Sequence, residues 1–227
     1  MQKSNNISII TTEDGSHTIR VTELDETYHS IHGAIQESQH VFIEAGLKYY
    51  MSNHPHKTSL KILEFGFGTG LNALLTAKTS SIKIDIAYHT LEKYPVPQKI
   101  INALNYSAKI NKAALFKQIH GAEWEDEHRL NQNFSIKKIN IDFRDYATET
   151  HYDIIYFDAF APSKQPDLWD KSIFKRCYQL LNAEGILVTY SAKGQLKRDL
   201  KAVGFTVESI PGPPGKYEMT RATKITV

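Results

Sequence analysis

The stretch KILEFGFGTGLN, residues 61–72, joins a short apolar run to a glycine-rich turn. The run ends at Phe65, and a pattern of apolar residues at helical spacing begins at Leu71. Alternate glycines allow a sharp turn and let a ligand approach the free amides at a helix start. The spacing is neither the GxGxxG of dinucleotide-binding loops nor a phosphate loop. The motif therefore predicts either a site for an acceptor-rich ligand without a pyrophosphate or a purely structural strand-to-helix connection.

Short apolar runs alternate with helical patterns on the C-terminal side of this turn. The predicted strands are Lys61–Phe65, Ile84–Leu91, Ile139–Phe143, Tyr152–Phe157 and Ile186–Tyr190. The predicted helices are Leu71–Lys78, Val96–Asn105, Ser172–Leu181 and Gly194–Val203. This alternation predicts an α/β fold around a mostly parallel sheet. Two further runs, Phe205–Ile210 and Glu218–Val227, flank a Pro/Gly-rich segment and predict a closing antiparallel strand.

The N-terminal part has a different pattern. Ile7–Thr11 and Thr18–Thr22 flank the dipeptide Asp14-Gly15, which favours a tight β-hairpin. Residues Ile31–Met51 carry apolar side chains at helical spacing. We therefore expect one domain over residues 1–227, with an N-terminal extension (1–56) and a core (57–227).

Composition limits the function classes. The net charge of +2 over 227 residues excludes binding of nucleic acid by bulk electrostatics. The average hides an asymmetry, because residues 159–227 carry 11 basic and 6 acidic groups while residues 1–158 carry 16 and 19. A single cysteine, Cys177, excludes an internal disulfide and is expected to be buried. The first six residues lead into no signal peptide and no apolar stretch is long enough for a membrane span, so we expect a cytoplasmic protein.

Acidic residues stand at or next to the predicted strand ends, where parallel sheets border their ligand crevice. Glu92 ends the strand that follows the glycine turn, where a carboxylate accepts hydrogen bonds from ribose hydroxyls; the alternative is an ion pair with Lys93. Glu64, just before the turn, is placed to attract a cationic group. Asp145 is expected either to accept from an adenine amino group or to pair with Arg144.

Asp158 is the strongest candidate for chemistry. It directly follows an apolar strand, where an unpaired carboxylate is costly unless it has a function. The next residues include Phe160, Pro162 and Trp169, which are expected either to wall a planar ring or to belong to the core. Lys164 between them is placed to meet an anionic backbone.

Other charged groups give weaker signals. Lys193, Lys197, Lys201 and Arg198 form a basic stripe that is either a solvated face or a phosphate contact. The histidine pairs at 29/32 and 54/56 lack a third ligand, so we expect surface or turn histidines and no metal site.

Together these segments resemble a known family, the methyltransferase module of the bacterial tRNA 5-methylaminomethyl-2-thiouridine biosynthesis bifunctional protein. The matching segments are residues 63–72 (LEFGFGTGLN), 91–95 (LEKYP), 157–162 (FDAFAP), 166–169 (PDLW) and 215–219 (GKYEM), with Glu37-Ser38 and His40-Val41-Phe42. The resemblance covers most of the chain. The family's oxidase module has no counterpart in these 227 residues, so the chain is similar to a stand-alone methyltransferase form.

The resemblance implies a class I Rossmann-like methyltransferase fold, S-adenosyl-L-methionine as cofactor and a tRNA substrate. The methyl group would go to the aminomethyl nitrogen at C5 of the wobble uridine. By position, Asp158 would face the amine, with Asp145 at the adenine. The other cofactor-binding residues implied are Glu64, Gly66, Phe67, Gly68, Thr69, Gly70, Glu92 and Lys93, and the substrate-binding residues are Phe160, Pro162, Lys164, Trp169 and Lys216.

Two alternatives remain open from the sequence. A polyamine synthase-like aminopropyltransferase would use a decarboxylated form of the same cofactor on a similar fold. A non-catalytic RNA-binding module with this fold is the other. Lys164 and the basic stripe favour a polynucleotide substrate over a polyamine, and Asp158 beside an intact glycine motif favours an enzyme.

Overall fold

The computed structural model describes residues 7–80 and 84–225; the N-terminal hexapeptide and the last two residues of the predicted closing run lie outside them. The strands are β1 (Ile7–Thr11), β2 (His17–Val21), β3 (Glu26–Thr27), β4 (Ser59–Phe65), β5 (Asp85–Leu91), β6 (Glu127–Asn131), β7 (Phe134–Ile139), β8 (Tyr152–Phe157), β9 (Leu181–Thr189), β10 (Phe205–Pro211) and β11 (Glu218–Lys224). β1 to β3 form a small antiparallel sheet. The remaining strands form one sheet in the order β10-β11-β9-β8-β4-β5-β7-β6.

The larger sheet has the predicted mixed character. Its five central strands, β9-β8-β4-β5-β7, run parallel to one another. β11 lies between β9 and β10 and is antiparallel to both, so the predicted closing antiparallel strand is confirmed. The outer strand β6 is antiparallel to β7. The α/β fold class is therefore confirmed.

Helices pack against this sheet. They are α1 (Ala34–Ser38), α2 (Tyr49–Asn53), α3 (Leu71–Thr79), α4 (Gln98–Ile101), α5 (Tyr106–Ile110), α6 (Ala113–Gly121), α7 (Lys171–Leu180) and α8 (Gly194–Ala202). A π-helical segment, Gln39–Lys48, joins α1 to α2, so the predicted helical region of the N-terminal part is one continuous rod. Phe42 of this rod packs on Tyr156 of β8, with ring centroids 5.0 Å apart.

The predicted strand Ile139–Phe143 is wrong. The observed strand β7 ends at Ile139 and pairs in parallel with β5. It was missed because Lys137 and Lys138 make its sequence look polar. Lys138 is nevertheless 2% exposed. Its ammonium donates to the His120 carbonyl at 3.0 Å and lies 5.0 Å from the Trp124 ring centroid, which compensates part of its burial.

The predicted helix Val96–Asn105 is also too long, because only α4 forms inside it, after Pro97. The short strand β3 and the helices α5 and α6 were not predicted. Cys177 on α7 is fully buried among apolar side chains, as expected. β8 is buried along its whole length and contributes side chains to the cores on both sides of the sheet. Its carboxyl end, next to β4, brings Asp158 beside the glycine turn.

Candidate active site

The glycine turn after β4 has the conformation that its sequence predicts. Gly66 and Gly68 have φ of 98° and 49°, values that side-chain-bearing residues rarely adopt. A Cβ on Gly66 would lie 2.7 Å from the carbonyl oxygen of Asp158, and one on Gly68 would lie 3.0 Å from the Tyr28 ring. Glycine is therefore required at both positions because the β8 end and the N-terminal segment pass directly over the turn.

A cavity of about 1020 Å³ opens beside this turn, at the carboxyl ends of the parallel strands. Ten of the predicted site residues line it: Gly66, Phe67, Gly68, Thr69, Glu92, Lys93, Asp158, Phe160, Lys164 and Lys216. Five others do not: Glu64, Gly70, Asp145, Pro162 and Trp169. Most of the predicted residues therefore share one cavity, and the other five do not line it.

Glu92 is held by backbone amides. Its Oε2 accepts from the Gly68 N–H at 3.0 Å and its Oε1 from the Tyr94 N–H at 2.8 Å. Burial raises the pKa of this carboxyl above its usual range, and these hydrogen bonds oppose the rise. Glu92 ties the glycine turn to the end of β5. The ion pair with Lys93 that the sequence left open does not form, since Lys93 contacts Asp142 instead.

Asp142, rather than Asp145, lies on the cavity wall beyond β7. Its carboxylate accepts from Lys93 Nζ at 2.8 Å and from two nitrogens of Arg144 at 3.0 and 2.8 Å. The Arg144 guanidinium and the Lys93 ammonium hold the pKa of Asp142 well below its usual range. Asp145 is exposed. It was singled out because the strand was predicted to end four residues too late.

Asp158 lies on the cavity wall at the end of β8. Asn72 Nδ2, from the first turn of α3, donates to its Oδ2 at 2.8 Å. Burial raises the pKa of Asp158 to about 7, the Glu37 carboxylate adds to this, and Asn72 and Lys216 oppose it. At neutral pH this group is therefore poised between its acid and its base form.

Glu64 lies behind the wall, fully buried in β4. Its Oε2 accepts from Thr90 Oγ1 at 2.6 Å. Burial raises the pKa of Glu64 to about 8, and the nearby Asp158 charge contributes. Three carboxyl groups with raised pKa, those of Glu64, Glu92 and Asp158, thus lie beside the glycine turn, which is typical of functional sites.

The N-terminal segment contributes residues that the sequence did not identify. His29 is buried and its Nε2 lies 2.7 Å from Thr69 Oγ1 in the glycine turn. Burial lowers the pKa of His29 to about 4, so its imidazole is neutral; of the two predicted alternatives, a surface or a turn histidine, the surface one is wrong here. Tyr28 packs edge-on against Phe160, with ring centroids 5.0 Å apart. These contacts join residues far apart in the chain, and no local pattern indicates them.

A second charged group on the wall is the ion pair between Glu37 and Lys216. The Lys216 ammonium donates to Glu37 Oε1 at 2.6 Å and lies 4.0 Å from the centroid of the Tyr190 ring. Glu37 and Tyr190 also line the cavity. The predicted substrate residue Lys216 thus reaches the cavity, but its ammonium meets a carboxylate of α1.

Trp169 belongs to the core behind the wall. It is 7% exposed and packs on Phe157, with ring centroids 5.0 Å apart. Its Nε1 donates to the Phe160 carbonyl oxygen at 2.8 Å and so fixes the backbone that carries the Phe160 ring. Pro162 is half-buried beside it and does not reach the cavity. The core interpretation that the sequence left open for Trp169 is therefore what the structure has.

The basic stripe is partly neutralised. Lys197 pairs with Glu218 at 2.6 Å, while Lys193, Arg198 and Lys201 are exposed. Within residues 7–80 and 84–225, no cluster of three or more His, Cys, Asp or Glu side chains is arranged to hold a metal ion. No helix in those same ranges has the length and apolarity to cross a membrane.

A family model described as S-adenosyl-L-methionine-dependent methyltransferase matches residues 106–225. The chain belongs to this family. The methyltransferase is also 30% identical over 224 residues to the tRNA 5-methylaminomethyl-2-thiouridine biosynthesis bifunctional protein MnmC of Marinomonas sp. (strain MWYL1), covering 92% of this chain and 32% of that protein. The protein of the same name from Burkholderia mallei (strain SAVP1) is 30% identical over 234 residues, 93% of this chain and 34% of the relative. The chain thus spans about a third of the curated relatives it matches.

Solved structures share the fold of this methyltransferase. MNMC2 from Aquifex Aeolicus superposes with a TM-score of 0.73 at 24% identity, over 100% of this chain and 73% of that one. Spermidine synthase from Thermotoga Maritima superposes with a TM-score of 0.57 at 13% identity, over 96% and 68%. The predicted Rossmann-like methyltransferase fold is confirmed.

The cavity fits the cofactor of this family. Because Gly66 and Gly68 have no side chains, their backbone lines the cavity directly, and Glu92 lies at the edge of the same turn. Glu92 and Asp158 line this region and Glu64 lies behind its wall, and a bound sulfonium cation with an ammonium group would favour the charged forms of these carboxyl groups.

Proposed function

We propose that this methyltransferase methylates the primary amine of 5-aminomethyluridine at the wobble position of tRNA. The observation that carries the proposal is the carboxylate of Asp158, which lines the cavity directly beside the glycine turn with its pKa raised to about 7. The names of these relatives refer to tRNA 5-methylaminomethyl-2-thiouridine biosynthesis, which supports an aminomethyluridine as the acceptor.

The cofactor side of the cavity is proposed to be the glycine turn. Gly66 and Gly68 would accommodate the methionine part with Glu64 nearby, and Glu92 would accept hydrogen bonds from the ribose. Phe143 lines the cavity and packs on Phe65, with 4.9 Å between ring centroids, and it would contact the adenine in place of Asp145. When bound, S-adenosyl-L-methionine supplies an electrophilic methyl group on its sulfonium.

Asp158 is proposed to act on the substrate amine. A primary alkylamine has a pKa of about 10.4 and must lose a proton before it attacks. With a carboxyl of ordinary pKa, about 3.9, proton transfer from the amine would be uphill by about 6 units, or about 9 kcal/mol. The raised pKa of Asp158, about 7, cuts this to about 3 units. Asn72 fixes the orientation of the acceptor, and the cavity wall limits access of water.

Contacts for a polynucleotide are proposed around the mouth of the cavity. Lys164 lines it and supplies a cation there. Tyr28 and Phe160 offer an aromatic corner for a planar base. Tyr94, also on the wall, is 48% exposed. Exposed aromatic rings next to cations are the surfaces on which RNA bases stack. A tRNA substrate also favours the cytoplasm as the site of action.

The test is incubation with methyl-labelled cofactor and tRNA that carries 5-aminomethyluridine, followed by nucleoside analysis of the wobble position. We expect label in 5-methylaminomethyluridine and loss of the aminomethyl nucleoside. A parallel reaction contains the decarboxylated cofactor and a diamine. Product in the diamine reaction alone would identify an aminopropyltransferase, and no product in either reaction would favour a non-catalytic module.

A further inference from the structure

Glu37, Lys216 and Tyr190 form a cluster on the cavity wall, here called the ammonium cluster, that the methyl transfer described above does not use. Glu37 is 7% exposed, and both its oxygens are engaged: Oε1 by Lys216 Nζ at 2.6 Å and Oε2 by the Ser30 N–H at 2.7 Å. The Lys216 ammonium also lies 4.0 Å from the Tyr190 ring centroid. One aromatic face and one carboxylate thus surround a single primary ammonium group.

The cluster is electrostatically coupled to Asp158. The Glu37 charge raises the pKa of Asp158 and the Lys216 charge lowers it. Two carboxylates on the wall of one cavity repel each other unless a cation stands near both. An ammonium over an aromatic face gains further attraction from the ring. The wall around Asp158 is therefore built to hold a cation, and in the free protein that cation is Lys216.

The cation is the exchangeable partner, whereas the carboxylate is fixed. Glu37 belongs to the buried part of α1 and is held by the Ser30 backbone. Lys216 belongs to the loop between β10 and β11, whose next residue, Tyr217, is 92% exposed. The backbone of this loop is anchored, since the Lys216 N–H donates to the Pro213 carbonyl at 2.9 Å. Its side chain has four rotatable bonds and can swing away without moving the loop.

The end of a lysine side chain is a methylene group that carries a primary ammonium. The acceptor in the proposed function, an aminomethyl group, is the same chemical group on a pyrimidine ring. We propose that Glu37 and the Tyr190 ring are the subsite that selects the primary ammonium of the substrate, and that Lys216 fills this subsite until the substrate displaces it. This inference rests on the proposed function, and it assigns Glu37 as a specificity residue.

The test compares Glu37→Gln with Lys216→Met. Binding is measured to two RNA stem-loops that differ only in the wobble nucleoside, 5-aminomethyluridine or uridine, with S-adenosylhomocysteine present to prevent turnover. The ratio of the two dissociation constants is the amine preference. Glu37→Gln should reduce this preference about tenfold, because the carboxylate partner is lost. Lys216→Met should raise it several-fold, because the competing ammonium is gone.

The diagnostic result is that the two variants change the amine preference in opposite directions. An ion pair with a merely structural role would move the preference in the same direction in both variants, or in neither, and either outcome overturns the inference. The matched control is the pair Lys197 and Glu218, which has the same 2.6 Å separation but lies outside the cavity. Lys197→Met and Glu218→Gln should leave the preference unchanged.

The outcomes separate the inference from the proposed function. If the wild type methylates the aminomethyl stem-loop but its preference fails to respond with opposite signs, the inference alone is wrong. If the wild type neither prefers nor methylates that stem-loop, both are wrong. Thermal unfolding checks each variant. If Glu37→Gln does not fold, Lys216→Met alone tests the inference. An unchanged or reduced amine preference in Lys216→Met would contradict the displacement of Lys216 by the substrate.

Discussion

Two aspartates on the wall of one cavity have opposite environments. Asp142, beyond β7, is surrounded by Lys93 and Arg144, which hold its pKa below the usual range. Asp158, at the end of β8, receives a hydrogen bond from the Asn72 amide, and burial raises its pKa to about 7. The residue type and the rim of the sheet are the same at both ends. The neighbours alone make the Asp142 end a structural anchor and the Asp158 end a group that can exchange a proton.

The largest expected effect is on turnover, at the Asp158 end. Asp158→Asn should lower kcat by about 10²- to 10⁴-fold, because the amide cannot accept the amine proton. Affinity for S-adenosylhomocysteine, measured by calorimetry, should stay within a few-fold of the wild type. The control Asp126→Asn changes an exposed aspartate that does not line the cavity and should have no effect. Full turnover in Asp158→Asn would show that Asp158 does not accept the amine proton, and the functional difference from Asp142 would then be wrong.

Cofactor binding is expected to depend on the other end of the cavity. Glu92→Ala removes the carboxylate that accepts from the Gly68 and Tyr94 amides and from the proposed ribose hydroxyls. Hydrogen bonds to charged groups contribute about 1.5–3 kcal/mol, so affinity for S-adenosylhomocysteine should fall about 10- to 100-fold. Calorimetry measures this directly. An unchanged affinity would mean that the cofactor does not contact this edge of the glycine turn.

The same Asp→Asn substitution should change stability in opposite directions at the two ends. At pH 8, Asp142→Asn should lower the free energy of unfolding by about 1–2 kcal/mol, because two cations lose their partner. Asp158→Asn should raise it by about 1–3 kcal/mol, because a buried carboxylate no longer has to ionise.

The pH dependence follows from the sign of each pKa shift. A raised folded-state pKa means that the neutral Asp158 contributes its full stability below the unfolded pKa of about 3.9, and this is lost as pH rises through about 7. The gain in Asp158→Asn should therefore vanish by pH 4. The loss in Asp142→Asn should shrink as pH falls below about 3.9, because the lowered pKa gives its full stability above that value and loses it progressively as pH falls toward the folded-state pKa. Urea unfolding at several pH values measures the effect of each substitution on the free energy of unfolding. If both substitutions changed it in the same direction at pH 8, the proposed difference between the two aspartates would be wrong.

The smallest effect is expected from the hydrogen bond that orients Asp158. Asn72→Ala removes a donor that lowers the pKa of Asp158, so the rising limb of the pH–rate profile should move to higher pH. Turnover at pH 7 should fall several-fold and recover in part at pH 9. Asn102→Ala, which changes an exposed asparagine directly after α4 that does not line the cavity, is the control. A uniform loss at all pH values would indicate only a structural role for Asn72.

Local patterns predicted the parts of the fold that depend on local chemistry. The run before Gly66, the glycine turn and α3 were predicted within two residues because apolar spacing and glycine freedom are properties of the segment itself. β8 was predicted to the residue, since every side chain in it is apolar or buried. β7 was missed because a buried lysine was not expected in a strand. The carbonyl and the aromatic rings that stabilise the buried Lys138 ammonium come from other segments, so the sequence of β7 does not indicate them.

The same distinction separates the predicted from the unpredicted parts of the site. Asp158 and Glu92 were singled out because each directly follows a strand that the apolar pattern predicts. Asp142 was missed because it depends on where β7 ends. Tyr28, His29 and Glu37 were missed because they reach the cavity through a helix and a hairpin that fold back over the glycine turn.

The sequence by itself determined the glycine turn, the α/β succession and the acidic strand ends, because backbone freedom and hydrophobic spacing act over a few residues. Only the tertiary structure decided which carboxyl group is an anchor and which can exchange a proton. That difference comes from burial and from charges that other segments bring to within a few ångströms, namely Lys93 and Arg144 around Asp142, and Asn72, Glu37 and Lys216 around Asp158. A pKa is a property of the assembled neighbourhood, so it first exists when the chain is folded.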